Sequence, residues 1–282
     1  MLWPKCLFRN CILFFLLLCT GTAASGQADT LPGKIYRVNW KYELPIPVAA
    51  LTASYFGFSA LDRTSAYKLE DLHGLDPNNI NRFDRPVAFN NPALFKSAQK
   101  SSDLFLNISI LSPALLMIDR RIRKDWLDLL AMYLVSHTVD NAIYFAAAFP
   151  IRRTRPYVYN PQVTQEEKIG IAKSNSFFSG HVSFAATSTF FLAKVFTDYH
   201  QIKGLKRVAI YSAAAVPPAL VGYYRVRAGK HFRTDVILGF LIGAGTGIAV
   251  PELHRQIRKS ERLSISPFYS PEGSGFSLNV KI

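Results

Sequence analysis

The chain has 282 residues, 49% of them hydrophobic, with a formal net charge of +14. That suits one domain with a large core or a compact membrane bundle, and the charge points to nucleic acid, anionic lipid or an acidic substrate. The cations fall in short clusters between apolar runs rather than in one stripe with interleaved aromatics, which favours a membrane over nucleic acid. All three cysteines (Cys6, Cys11, Cys19) lie near the start, so the remainder carries no disulfide and no thiolate metal site.

Residues 1–28 read as a secretory signal: Lys5 and Arg9 precede the apolar stretch 12–18, and small residues follow at 21–28. An uncleaved anchor is the alternative. Residues 29–103 are mostly polar. Within them, 45–61 is apolar but short for a span and contains Pro45, Pro47 and Gly57, so it reads as an interfacial or transmembrane helix. Asn78-Asn79 and Asn90-Asn91-Pro92 signal turns. From residue 104 the pattern becomes regular. Apolar runs occupy 104–118, 126–149, 177–196, 208–223 and 236–250, most of them near the roughly 20 residues that a bilayer core requires.

Ala213-Ala214-Ala215 and Gly243-Ala244-Gly245-Thr246-Gly247 permit close helix contact, and Pro217-Pro218 predicts a kink. His137 and Asp140, one turn apart inside an apolar run, are intramembrane ionisable groups, read here as helix-to-helix hydrogen-bonding partners. No internal repeat is visible. The tail, 263–282, alternates around Pro271-Glu272-Gly273 and suggests a hairpin. The expected fold is an all-α membrane bundle of about five to six transmembrane helices over 104–262 with at most one helix before it.

Connections 119–124, 203–207 and 255–262 are short and basic, which places them in the cytoplasm. Connections 150–176 and 225–234 then face the other way. A cleaved signal leaves no room for 45–61 to cross as well. Either that segment lies in the interface or the N-terminus stays inside.

The chemistry-bearing residues fall at the outward ends. Arg225 precedes His231, and Asp235 follows four residues later. If the following helix includes His231, the Asp235 carboxylate accepts a hydrogen bond from one imidazole nitrogen and leaves the other as a nucleophile. Taken alone, the spacing also fits a basic interfacial loop. Upstream stand Ser179-Gly180-His181 at the start of one apolar run and Arg153-Thr154-Arg155-Pro156 after another. In that order, R-x-R-P, S-G-H and R-x5-H-x3-D, the chain resembles the type-2 phosphatidic acid phosphatase superfamily, which includes soluble acid phosphatases and vanadate-dependent haloperoxidases. Three positions depart from the family pattern. Ala148 stands where a lysine is usual, Phe178 replaces a proline, and Tyr224 replaces a serine.

The resemblance implies a metal-independent phosphatase of the membrane branch, acting on lipid phosphate monoesters or pyrophosphates. His231 would be the nucleophile that forms a phosphohistidine, Asp235 its orienting carboxylate, and His181 the acid and later the base. Arg155, Arg225, Ser179 and Gly180 would bind phosphate. Arg153 is the preferred replacement for the missing lysine, with Arg152 the other choice. No cofactor, metal or nucleic acid is implied. The expected location is the bacterial inner membrane, multi-pass, with the site facing the periplasm. A soluble secreted acid phosphatase and a non-catalytic protein that binds anionic lipid are the alternatives.

Overall fold

Proline placement sets where the first long helix among the described residues begins. Pro45 occupies the first position of α1 (Pro45–Thr64), where a missing N–H costs nothing and φ is already helical. Pro47 falls in the same turn, so neither proline breaks the helix. In the computed structural model, residues 34–260 are described, together with the strand backbones 263–270 and 273–280; side chains are described as far as residue 255.

The chain is an all-helical bundle with a terminal hairpin. Five more long helices follow α1: α2 (Phe95–Leu111), α3 (Trp126–Ala148), α4 (Gly180–Tyr199), α5 (Gly204–Arg227) and α6 (Arg233–Ser260). A 3-10 stretch, Ser112–Ile118, extends α2. α5 stays helical through Pro217 and Pro218. β1 (Leu263–Ser270) and β2 (Gly273–Val280) pair antiparallel, with Leu263 opposite Val280. Among the described residues three segments are long and apolar enough to cross a membrane: Trp40–Thr64, Pro92–Ile118 and Arg233–Arg255. The reading of 45–61 as too short is thereby corrected, because the flanking residues lengthen it to span length. α2 likewise begins nine residues before the expected 104, since its first turns are polar.

Successive helices alternate in direction between two ends. At one end Lys34 bonds Asp128 (2.6 Å), Tyr36 bonds Asp198 (2.9 Å), His200 meets Asp119 (2.7 Å) and His254 meets Glu43 (2.7 Å). The basic connections lie at this end. At the other, the C-terminus of α1 meets the start of α4: Asn175 Nδ2 donates to Asp62 (3.0 Å). α1 therefore runs the full depth of the bundle beside α3.

α4 is the central helix, buried nearly all round. α6 packs against it through Gly239, Gly243 and Gly247, one every four residues. A Cβ at these positions would come within 2.6, 2.1 and 2.5 Å of the carbonyl oxygens of Ser179, Ser183 and Thr187. Only glycine permits that approach. α3 meets α4 through polar side chains: His137 Nε2 lies 3.1 Å from Ser188 Oγ, and Asp140 accepts from Ser183 and, at 3.0 Å, from Thr187. Those two ionisable groups thus serve as the expected helix-to-helix bonds.

The 65–94 connection folds over the second end. Ile80, Val87 and Ala88 pack on Phe232, while Tyr67, Leu72 and Leu75 pack on Tyr157, Val158 and Val163. Asp84 pins this segment to α6, accepting from Thr234 N (3.1 Å) and Thr234 Oγ1 (2.6 Å).

Candidate active site

The capped end collects the three motifs. Arg155 comes from the connection after α3, Ser179, Gly180 and His181 from the start of α4, and Arg225 from the last turn of α5. His231 comes from the turn into α6. Ser179, His181, Arg225 and His231 are all at least 95% buried.

His231 is oriented by backbone. Its Nδ1 lies 2.7 Å from the Ser176 carbonyl oxygen, which can only accept, so Nδ1 carries the proton and Nε2 keeps its lone pair. Nε2 faces Arg225 Nη2 at 3.4 Å. Burial first, and then the charges of Arg225 and Arg155, hold the His231 ring well below the usual imidazole range. It is neutral at physiological pH, as a nucleophile must be.

This corrects the expectation for Asp235. α6 begins at Arg233, so His231 precedes the helix rather than sharing a face with Asp235. The Asp235 carboxylate instead accepts from Ser176 Oγ (2.6 Å) and Phe232 N (2.9 Å), and pairs with Arg153. It orients His231 indirectly, by holding the residue whose carbonyl holds the ring.

Arg153 is corrected as well. Its guanidinium bridges Asp84 (2.8 Å) and Asp235, donates to Thr234 Oγ1 (2.8 Å) and lies 4.3 Å over the Phe232 ring. Hydrogen bonds from Thr234, Asn81 and Arg153 outweigh the cost of burying Asp84 and hold its carboxyl below the ordinary range. Arg153 is thus occupied in fastening the cap to α6, not directed at a phosphate. Arg152 donates to Ser65 Oγ (3.1 Å).

Arg225 donates to Gln99 Oε1 (2.8 Å), while its Nε is buried without a hydrogen-bond partner among the described residues. The Ser179 hydroxyl is buried in the same condition. Buried donors of this kind cost free energy unless something accepts from them. Arg155 donates to Asn175 Oδ1 (2.9 Å), which α1 anchors through Asp62. Gly180 and His181 occupy the first turn of α4, where backbone N–H groups have no intrahelical acceptor and favour an anion. Two guanidinium groups, a hydroxyl, a helix N-terminus and a neutral imidazole form a site for a tetrahedral oxyanion.

The sequence model of the PAP2 superfamily matches residues 126–259, the segment that carries all three motifs. Over that segment the chain resembles the PAP2 superfamily. It is similar to two solved structures. One is a transmembrane PAP2-type phosphatidylglycerolphosphate phosphatase from Bacillus subtilis, with 21% identity and a TM-score of 0.43 over 91% of this chain and 98% of that one. The other is LpxE from Aquifex aeolicus, with 20% identity and a TM-score of 0.41 over 60% and 92%. No curated protein sequence matches the chain.

The departures of this chain from the PAP2 pattern have structural reasons. Ala148 is sealed in an apolar cluster with Phe58, Leu61 and Phe178, where a lysine would be stranded. Phe178 packs edge-on to Tyr144, with ring centroids 5.5 Å apart, and Tyr224 stacks on Phe105 at 5.8 Å. Lys230, adjacent to His231, is the cation that sequence reasoning left unassigned. Its Nζ lies 4.6 Å from the Tyr157 ring. Burial, and then repulsion from Arg155, Arg225 and Lys173, push it down to about 7. Gln99, Asp103, Asn175 and Ser176 were also missed. Asn175 and Ser176 directly precede the S-G-H stretch, whereas nothing in the sequence singles out Gln99 or Asp103.

Proposed function

We propose that this chain is an integral-membrane phosphatase that hydrolyses a lipid phosphate through a phosphohistidine at His231. The observation that carries the reading is the His231 ring, with Nδ1 committed to the Ser176 carbonyl and Nε2 turned toward Arg225. Phosphate bound by Arg225, Arg155, Ser179 and the α4 N-terminus presents phosphorus to Nε2. The Nε2 lone pair forms the P–N bond as the P–O bond breaks, and His181 gives a proton to the departing oxygen. Water then loses a proton to His181 and attacks phosphorus. The P–N electrons return to Nε2 and inorganic phosphate leaves. Arg155, Arg225 and Lys230 meet the charge of the phosphate, with Lys230 taking the part of the absent lysine.

The three span-length helices favour a membrane enzyme over a secreted acid phosphatase. With the basic connections inside, the site faces the periplasm. Lys34 and Tyr36 then lie at the cytoplasmic end, which argues against cleavage of 1–28, a segment outside the described residues. The test is phosphate release from a panel of lipid phosphates in detergent micelles, wild type against His231→Ala. Turnover confined to the wild type is expected. No turnover on any member would leave the non-catalytic reading, a protein that binds anionic lipid through this site.

A further inference from the structure

The α2 helix reaches this site with a carboxylate. Asp103 Oδ1 lies 3.3 Å from His181 Nε2. The His181 side chain is 6% exposed and that of Asp103 39%, so the carboxylate contacts both the buried ring and solvent. One turn earlier, Gln99 Nε2 donates to both Asp103 oxygens (2.9 and 3.0 Å), and its Oε1 accepts from Arg225 Nη1 (2.8 Å). One side chain thus orients both the phosphate-binding arginine and the partner of the second histidine. Burial first, and then the nearby cations, Arg225 from α5 and Arg155 from the connection after α3, oppose a positive charge on the His181 ring. Asp103 favours it.

We propose that Asp103 is a positioning residue that keeps His181 in service as the proton donor to an alcohol leaving oxygen, and that the substrates are alkyl phosphate monoesters rather than diphosphates. The inference rests on the phosphatase reading. When a monoester is cleaved, the P–O electron pair goes to an alkoxide about as basic as hydroxide, the conjugate base of water with its pKa of ~15.7. That oxygen departs only as it takes the His181 proton, and the products are the neutral alcohol and phosphohistidine. A diphosphate releases a phosphate, whose second ionisation falls near pH ~6, so it leaves without a proton. It also leaves as an anion, which the Asp103 carboxylate repels. Asp103 therefore assists one class and opposes the other.

The experiment compares kcat/KM for dodecyl phosphate and dodecyl diphosphate, which share one tail, from initial phosphate release in detergent micelles. The wild type should prefer the monoester. Asp103→Asn should lower the monoester-to-diphosphate ratio by at least about tenfold, the equivalent of one pKa unit, and Asp103→Glu should restore it. Both rates come from one preparation, so a loss of folded enzyme cancels in the ratio; Asp103→Ser serves as a second neutral variant. A ratio that Asp103→Asn and Asp103→Ser leave unchanged overturns the proposal, as does a wild type that prefers the diphosphate. In either case turnover by wild type leaves the phosphatase reading standing. Phosphate release from neither dodecyl substrate overturns the proposal, and release from no lipid phosphate at all sinks the phosphatase reading with it.

Discussion

His231 and Arg153 divide the work of the site between chemistry and support. Arg225 faces His231 Nε2, so under the proposed mechanism Arg225→Gln should lower kcat by a factor of about 10²–10³, on the order of 2.7–4 kcal/mol of barrier, as removal of an oxyanion donor does. Arg153 holds two buried carboxylates, Asp84 and Asp235. Arg153→Gln should therefore cost about 3–5 kcal/mol of stability by leaving them uncompensated, seen as a lower melting temperature. A variant of Arg153 that melts like wild type but turns over slowly would return it to the phosphate. For Lys230 the sign runs with its charge. Its pKa is lowered from 10.5 to about 7, so the side chain is charged and anion-binding below that pH and neutral above it. Sulfate, whose charge is constant across this range, should inhibit more weakly as pH rises from 6 to 8.5, by roughly tenfold or one pKa unit. Lys230→Met should inhibit weakly and flatly throughout. Equal pH dependence in both proteins would remove Lys230 from the site.

At the scale of the element, the seam between α4 and α6 sets the geometry of the site, because the same two helices carry His181 and Asp235. Gly243→Ala places a methyl 2.1 Å from the Ser183 carbonyl. Backbone on both sides must yield, so a loss of about 1–3 kcal/mol is expected, as for overpacking of a dense core. Gly245 has nothing within 4 Å of its Cβ position. Gly245→Ala should be neutral or stabilising, since alanine is favoured over glycine by roughly 0.8–1.0 kcal/mol within a helix. Thermal melts in detergent distinguish the two, and equal losses would show that the seam is less close than described. The sequence pattern marked 243–247 as small, yet the contacting face is 239, 243 and 247. A period of four reads that face only once the partner helix is known.

For the whole molecule, alternating helices put all three motifs at one end and the basic connections at the other. A cysteine at Gln165, in a background lacking Cys6, Cys11 and Cys19, should react with an impermeant thiol reagent in cells whose outer membrane is permeabilised. One at Lys124 should react only after the inner membrane is broken. The reverse pattern would place the site in the cytoplasm and agree with a cleaved signal ahead of α1. Because α1 traverses the bundle, one of the two charge-based expectations, exported N-terminus or basic loops inside, has to give way, and this labelling decides which.

By itself the sequence determined the helical class and the family resemblance, and it singled out His181, Arg225 and His231, which the fold brings to one end of the bundle. Apolar runs of span length and motifs of fixed spacing are local properties that survive without coordinates. What only the tertiary structure decided was the set of partners. Spacing alone suggested that Asp235 holds His231, but the helix begins at Arg233, and a carbonyl 55 residues upstream in Ser176 takes the ring instead. Arg153 looked like a phosphate ligand until Asp84, 69 residues away, met it. Asp103 and Gln99 were invisible for a related reason. Their polarity, which lets them serve a site, also made the first turns of α2 look like loop. Partner choice is settled by which helix ends come together, and hydropathy along a single chain does not encode that.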